Sequence, residues 1–337
     1  MANTAFEASM SVSPSPPEKR RFFRGGRFSF RSFSAGSFGH VLWIFLKYSV
    51  SVFCLAYAFW DVPLTDLAAA RYSAAPMFGA LAVSFAAYAM MGVRLSYMTT
   101  PPLSFRSTFC ATLVGLAMNN VFPAKAGEIT KAAWMGRDNG VPLQKTLGIV
   151  FMERFFDVNV LTLLNLWFLW DMGEHQTAAL FAACLACGWS VLFFFRLCPR
   201  WAKRFTGLFG SGGLGRFVSL ALLGVLENMS ARRLAWLSAS SLVVWCFYAL
   251  EMLFCVNGVA GLSLPLTAAL FVFAVSGLGT LLPSSPGAVG VYEAVTVAAL
   301  ERCGAAPDMA LAAALFSHAL QFLPVTLVGS VIFLKGR

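Results

Sequence analysis

Eight apolar stretches, each of 18 residues or more, run along this chain: 41–60, 77–98, 105–122, 146–170, 176–197, 235–257, 264–282 and 309–334. An α-helix rises 1.5 Å per residue, so roughly 20 such residues cross the ~30 Å of hydrocarbon in a bilayer. In lipid every backbone polar group must be paired inside the protein, which leaves helices as the way to use such stretches. Composition agrees, with 58% hydrophobic and 12% charged residues, against about 25% charged in an ordinary soluble domain. The expected class is an all-α polytopic membrane protein.

Two of the stretches end abnormally. Segment 105–122 runs into "NNVFPAKAGE" (119–128), and 264–282 runs into "LLPSSPGAVGVYEA", with a shorter apolar piece at 289–300. Pro123 and Pro283 lack a backbone N–H and disfavour continuation of the preceding helix. Gly127, Gly287 and Gly290 permit conformations that other residues avoid. Irregular backbone at membrane depth must line a cavity or be buried in protein. Both segments therefore read as broken, re-entrant hairpins, near 105–136 and 264–304, and six full spans remain. Two ordinary interfacial loops are the plain alternative.

The net charge of +10 raises nucleic acid as a partner, but its distribution fits the positive-inside rule instead. With a cytoplasmic N-terminus, inside regions hold 21 of the 25 Lys and Arg residues, among them the group from Arg94 to Lys145. Arg71 and Arg302 fall outside; Lys47 and Arg154 fall within spans. Both termini are expected in the cytoplasm of a multi-pass inner-membrane protein.

This topology makes 77–98 and 235–257 run in opposite directions, each followed by a broken segment and then a full span. Such an arrangement is an inverted repeat, a frequent architecture of secondary transporters. The expected organisation is a basic N-terminal tail (1–38), a first membrane half (39–197), a cytoplasmic amphipathic linker (198–233) and a second membrane half (234–337). The Ser/Pro portion of the tail has too little apolar surface to form a core.

Where helices break, free backbone groups become ligands and half-helix N-termini attract anions. Candidate substrate contacts at the first break are Asn119, Asn120, Pro123, Lys125, Gly127 and Glu128. At the second they are Pro283, Pro286, Gly287, Gly290 and Glu293. "MERFFDVNVL" adds Glu153, Arg154 and Asp157 to the span 146–170. One central charge costs ~2.5–3.5 kcal/mol on insertion scales, so three together need partners or water. They fit either a structural ion pair or an Arg154 that meets a headgroup while the carboxylates orient it. Glu251, mid-span in 235–257, has no base nearby in sequence, so a partner from another helix is expected: Lys47, Lys125 or Arg154. His318 on the last span is a packing histidine or a proton relay.

Enzyme signatures are missing. There is no H-E-x-x-H, no G-x-S-x-G and no phosphate-cradling G-x-x-x-x-G-K-[ST], and the histidines are only 40, 175 and 318. Cys184 and Cys187 form a C-x-x-C inside an apolar helix, where small-residue packing is the plain explanation. No cofactor or metal is expected.

"P-A-K-A-G-E", "E-R-F-F-D" and "P-S-S-P-G-A-V-G-V-Y-E", in that order, resemble the signature blocks of the flippase-like integral membrane proteins. These are related to the transmembrane flippase region of bacterial lysylphosphatidylglycerol synthase, the multiple peptide resistance factor. The likeness covers roughly 40–334. That family usually carries Arg where Lys125 stands, so bidentate geometry is lost there. The resemblance implies movement of a polar-headgroup lipid (phospholipid, aminoacyl-phospholipid or polyprenyl-linked) between leaflets. The synthase's soluble aminoacyl-transferase domain is not expected in a chain ending "FLKGR". The expectation is thus a transporter and not an enzyme, with a membrane phospholipid or lipid-linked substrate as partner. A neighbouring lipid synthase and a second copy of the chain are further candidate partners. The alternatives are a membrane-embedded headgroup transferase and a non-transporting partner of a lipid or glycan synthase.

Overall fold

The computed structural model describes residues 38–59, 62, 71–122, 125–210, 212–259, 262–280 and 284–336, with side chains from Tyr48 onward except at 138 and 139. Pro123, Pro283, residues 1–37 of the tail and the side chain of Lys47 lie outside this description.

The described chain is all-helical. In order come α1 (Phe38–Ala58), α2 (Ala74–Tyr97), α3 (Phe105–Val121), α4 (Ala126–Asn139), α5 (Leu143–Asp171) and α6 (His175–Leu197). There follow α7 (Pro199–Gly207), α8 (Gly213–Leu226), α9 (Ala231–Asn257), α10 (Leu266–Gly279), α11 (Val291–Arg302) and α12 (Pro307–Lys335). A 3-10 turn at Pro286–Ala288 precedes α11. Start signals are local. The side chains of Ser104 and Ser230 accept from the N–H of Ser107 and Arg233 at the heads of α3 and α9, and prolines open α7 and α12.

Among the described residues four helices are long and apolar enough to cross a membrane: α2, α6, α9 and α12. Helix α5, expected as a span, has 29 residues, about 43 Å at 1.5 Å each. Its charged residues, not its length, set it apart from those four.

α2 and α9 form a long antiparallel pair. Ser73 N–H donates to the Gly258 carbonyl at one end, Tyr88 meets Tyr248 mid-way, and Tyr97 packs edge-on to Trp236 at the other. α3 and α4 pack antiparallel on each other, and α3 also lies antiparallel to α12, with Gly329 against Leu113 and Ala117. α10 and α11 pack together, joined by Ser276 and Thr296 hydroxyls at 2.8 Å. α10 in turn runs antiparallel to α5, where Asn165 donates to the Ala274 carbonyl and Leu161 meets Gly277. Within the 198–233 linker, α8 packs along the start of α5. Gly148 and Gly224 bring the backbones together there, and Lys145 pairs with Glu227 at 2.8 Å. α6 by contrast buries only Ala178 and Leu192.

Candidate functional site

The two helix breaks meet. Asn120, in the last turn of α3, donates through Nδ2 to the Thr326 hydroxyl on α12 at 2.8 Å. The Gly287 turn of the second break packs against Phe322 of the same helix and against the Asn120 carbonyl. Between the breaks opens a cavity of about 690 Å³, and residues from both line it. The first break contributes Asn119, Asn120, Lys125 and Glu128; the second contributes Ser284 to Ala288. α5 adds Arg154 and Asp157, and α12 adds His318, Gln321, Phe322 and Val325, one helical face at i, i+3, i+4 and i+7. Tyr88, Trp245, Tyr248 and Phe273 form the apolar wall.

At the first break, Lys125 caps α4 in the left-handed region, at φ 53°. That conformation costs a non-glycine residue about 1–2 kcal/mol, and such strain concentrates at functional positions. Gly127 follows because no side chain fits: a Cβ there would stand 1.9 Å from the Gly115 carbonyl oxygen of α3. That close approach lets Asn119 Nδ2 donate to Glu128 Oε1 at 3.1 Å across the hairpin.

The three charges of α5 find partners that sequence reasoning had missed. Arg94, fully buried near the end of α2, donates to both carboxylate oxygens of Asp157 (2.6 and 3.2 Å), to Glu153 (2.8 Å) and to the Ser241 hydroxyl (2.7 Å). Lys131, buried on α4, meets the other Glu153 oxygen at 2.5 Å. The charge pattern assigns both cations to inside regions; the structure instead places them in the ionic core. A signal was present, since Arg94 falls inside the apolar run 77–98 and Lys131 lies one helical turn beyond Glu128.

Arg154 behaves differently from its neighbours. Its side chain is 36% exposed and lines the cavity while reaching Glu153 (3.2 Å), Asp157 (3.4 Å) and Glu128 (3.8 Å). Glu153 is fully buried and turned to the ionic core, so of the α5 trio Arg154 and Asp157 face the cavity. Trp245 Nε1 also donates to Asp157, at 3.1 Å.

The second break is held by neutral and backbone groups around one acid. Gly290, at φ 89°, donates its N–H to Glu293 Oε2 at 2.7 Å, a capping arrangement at the head of α11. The other Glu293 oxygen meets His318 Nδ1 at 2.6 Å, and His318 Nε2 meets the Gly287 carbonyl at 2.9 Å. Ser51 of α1 supports the turn by accepting from the Ser285 N–H at 3.0 Å. Pro286 and Gly287 face the cavity, while Gly290 presses on the Ser51 backbone.

Glu251 departs from expectation. It is fully buried, and neither Lys125 nor Arg154 reaches it; it belongs to none of the ion pairs among the described residues. Both of its carboxylate oxygens lack a hydrogen-bond partner. Its neighbours Tyr248 and Met252 line the cavity, whereas Glu251 stands behind them.

A helical bundle with four membrane-length apolar helices and a charged cavity walled by two helix breaks is a multi-pass membrane protein built around a polar chamber. The chain belongs to the family described as the lysylphosphatidylglycerol synthase TM region, which matches residues 44–329. No curated protein and no solved structure matches it.

Proposed function

We propose that this protein is a lipid flippase, moving a lipid with a phosphate-bearing polar headgroup between the leaflets of the inner (cytoplasmic) membrane, with both termini cytoplasmic. The observation that carries the reading is the cavity shared by both helix breaks, lined by charged groups and aromatic surface together. A headgroup enters between the halves while its acyl or prenyl tails stay in lipid, which removes most of the hydrophobic cost of crossing.

Charge accounting supports an anionic group on that lipid. In the ionic cluster the cations Arg94, Lys131 and Arg154 balance the anions Glu128, Glu153 and Asp157. Lys125 lines the cavity and belongs to no ion pair among the described residues. A phosphodiester brings the one negative charge that remains to be matched. It would sit between Lys125, the N-terminus of α4 and Arg154.

An inverted repeat with re-entrant hairpins underlies this reading, and the packing pattern supports it. α2 and α9 pair antiparallel; each is followed by a hairpin, α3–α4 or α10–α11, and each hairpin's first helix packs on the long helix that follows the other hairpin, α12 or α5. Six full spans follow if α1 and α5 cross beside the four helices named above.

The test is translocation of a headgroup-labelled phospholipid in vesicles containing purified protein. Arg154→Ala is expected to slow transfer at least about tenfold, the loss of one charged hydrogen bond to the headgroup, and Glu128→Ala to slow it by releasing Arg154 and Asn119 from the carboxylate they share. Wild-type rates in both variants would remove the site from the mechanism. Conversion of the labelled lipid by the protein alone would favour a headgroup transferase.

A further inference from the structure

Glu251 is not spoken for by the site above. Its surroundings can be taken element by element. α2 brings Ser84, Tyr88 and Arg94. The Ser84 hydroxyl donates to the Ala80 carbonyl, and Arg94 is committed to Glu153 and Asp157. α5 brings Arg154, likewise engaged with carboxylates. α10 carries no ionisable residue. On α12, His318 bridges Glu293 and the Gly287 carbonyl, and Gln321 donates to the Tyr292 hydroxyl. Tyr248 and Cys255 on α9 itself, and Tyr292 on α11, complete the polar neighbours. No cation among the described residues forms an ion pair with this acid; Lys125, the unpaired one, lines the chamber at the first break.

A carboxylate sealed from water, with no cation against it and only the neutral Ser84 hydroxyl and Gln321 amide within reach, is far costlier than the neutral acid of the same shape. The conformation described here therefore suits the protonated form. Only one layer of side chains separates that acid from the chamber, because Tyr88, Tyr248, Met252, Tyr292 and Gln321 all line the cavity.

We propose that Glu251 is a proton-binding site coupled to the transport cycle, an inference that rests on the transport reading above. In the conformation seen here the carboxyl O–H is intact. In the alternate conformation the group is exposed to cavity water, the O–H bond breaks, the proton passes to water, and the carboxylate left behind is stabilised by the cavity's cations. Rebinding a proton restores the buried state. One proton then moves per cycle, and a proton gradient drives lipid movement in one direction.

Two measurements on the full-length protein test this. The first uses dicyclohexylcarbodiimide, an apolar reagent that adds whole to protonated carboxyl groups in lipid-facing or buried sites. The acid's proton goes to a reagent nitrogen, and its oxygen bonds to the central carbon. Peptide mass spectrometry is expected to find the adduct at Glu251, decreasing as pH rises, while Glu153 and Asp157, held by cations, stay unmodified. Absence of an adduct at Glu251 at every pH overturns the proposal. The second follows headgroup-labelled phosphatidylglycerol in vesicles with and without an imposed pH gradient. Wild-type transfer is expected to respond to the gradient and Glu251→Gln to lose that response, with its thermal unfolding unchanged. Equal responses in the two proteins overturn the proton site even where Arg154→Ala abolishes transfer. Should the wild-type protein move no lipid with or without the gradient, the transport reading itself fails.

Discussion

The two helix breaks face one cavity but are held together by different chemistry. Behind the first lies an ionic core in which Arg94 and Lys131 neutralise Glu153 and Asp157 out of contact with water. The second is a turn of glycines latched by Glu293, His318 and backbone groups, with Ser51 underneath. The two breaks thus differ in what they present to the chamber. The first supplies charge to the chamber, and the second supplies a shaped, nearly neutral wall. The difference also locates fragility. A buried ion pair adds little net stability over apolar packing, yet it is severe to break, because the surviving partner is stranded.

The largest expected effect follows from that asymmetry. Arg94→Leu leaves two buried carboxylates short of their shared cation and should destabilise the fold by about 3–5 kcal/mol. His318→Ala removes hydrogen bonds from a pair that can rearrange, at about 1–3 kcal/mol. Thermal unfolding in detergent orders the two. A His318→Ala loss equal to that of Arg94→Leu would mean the second break is as dependent on charge as the first.

Close packing gives the next contrast. A Cβ at Gly127 meets backbone, the Gly115 carbonyl at 1.9 Å, whereas one at Gly287 meets the Phe322 ring, which can turn away. Gly127→Ala must pry α3 from α4, at about 1–3 kcal/mol or more. Gly287→Ala pays chiefly for its positive φ of 70°, about 1–2 kcal/mol. Hydrogen exchange over α3–α4 checks the first directly: protection there should fall in Gly127→Ala and stay unchanged in Gly287→Ala.

How far the sequence foretold this can be read from particular residues. Apolar runs mark the helices because length and lipid leave the backbone no other choice, and Pro-Gly clusters mark the breaks for the same backbone reasons. The Glu153–Arg154–Asp157 cluster stands out because charges are rare in such runs. Its partners did not stand out. Arg94 and Lys131 sit near segment ends, where a cation reads as an inside-loop charge, and only tertiary packing carries them inward. Glu251 shows the reverse error. Its isolation in sequence suggested a cation from another helix, but Arg154 is taken up by carboxylates of α4 and α5, and Lys125 stays at the first break without pairing to it. Pairing between helices depends on register and rotation, which local composition does not encode.

The smallest effect on stability is expected at Lys125, and it sharpens the comparison most. Its side chain is exposed and lies in no ion pair among the described residues, so Lys125→Ala should shift unfolding by no more than about 0.5 kcal/mol. Transport should respond out of proportion, because the first break then keeps a balanced ionic core and loses the one cation that balance leaves over. Slower transfer of an anionic headgroup in an equally stable protein would separate charge supplied to the chamber from charge that holds the fold. Transfer of a zwitterionic headgroup, which brings its own cation, should slow less. If both headgroups cross at the wild-type rate, the first break is charged for structural reasons alone, and the division of labour between the two halves collapses.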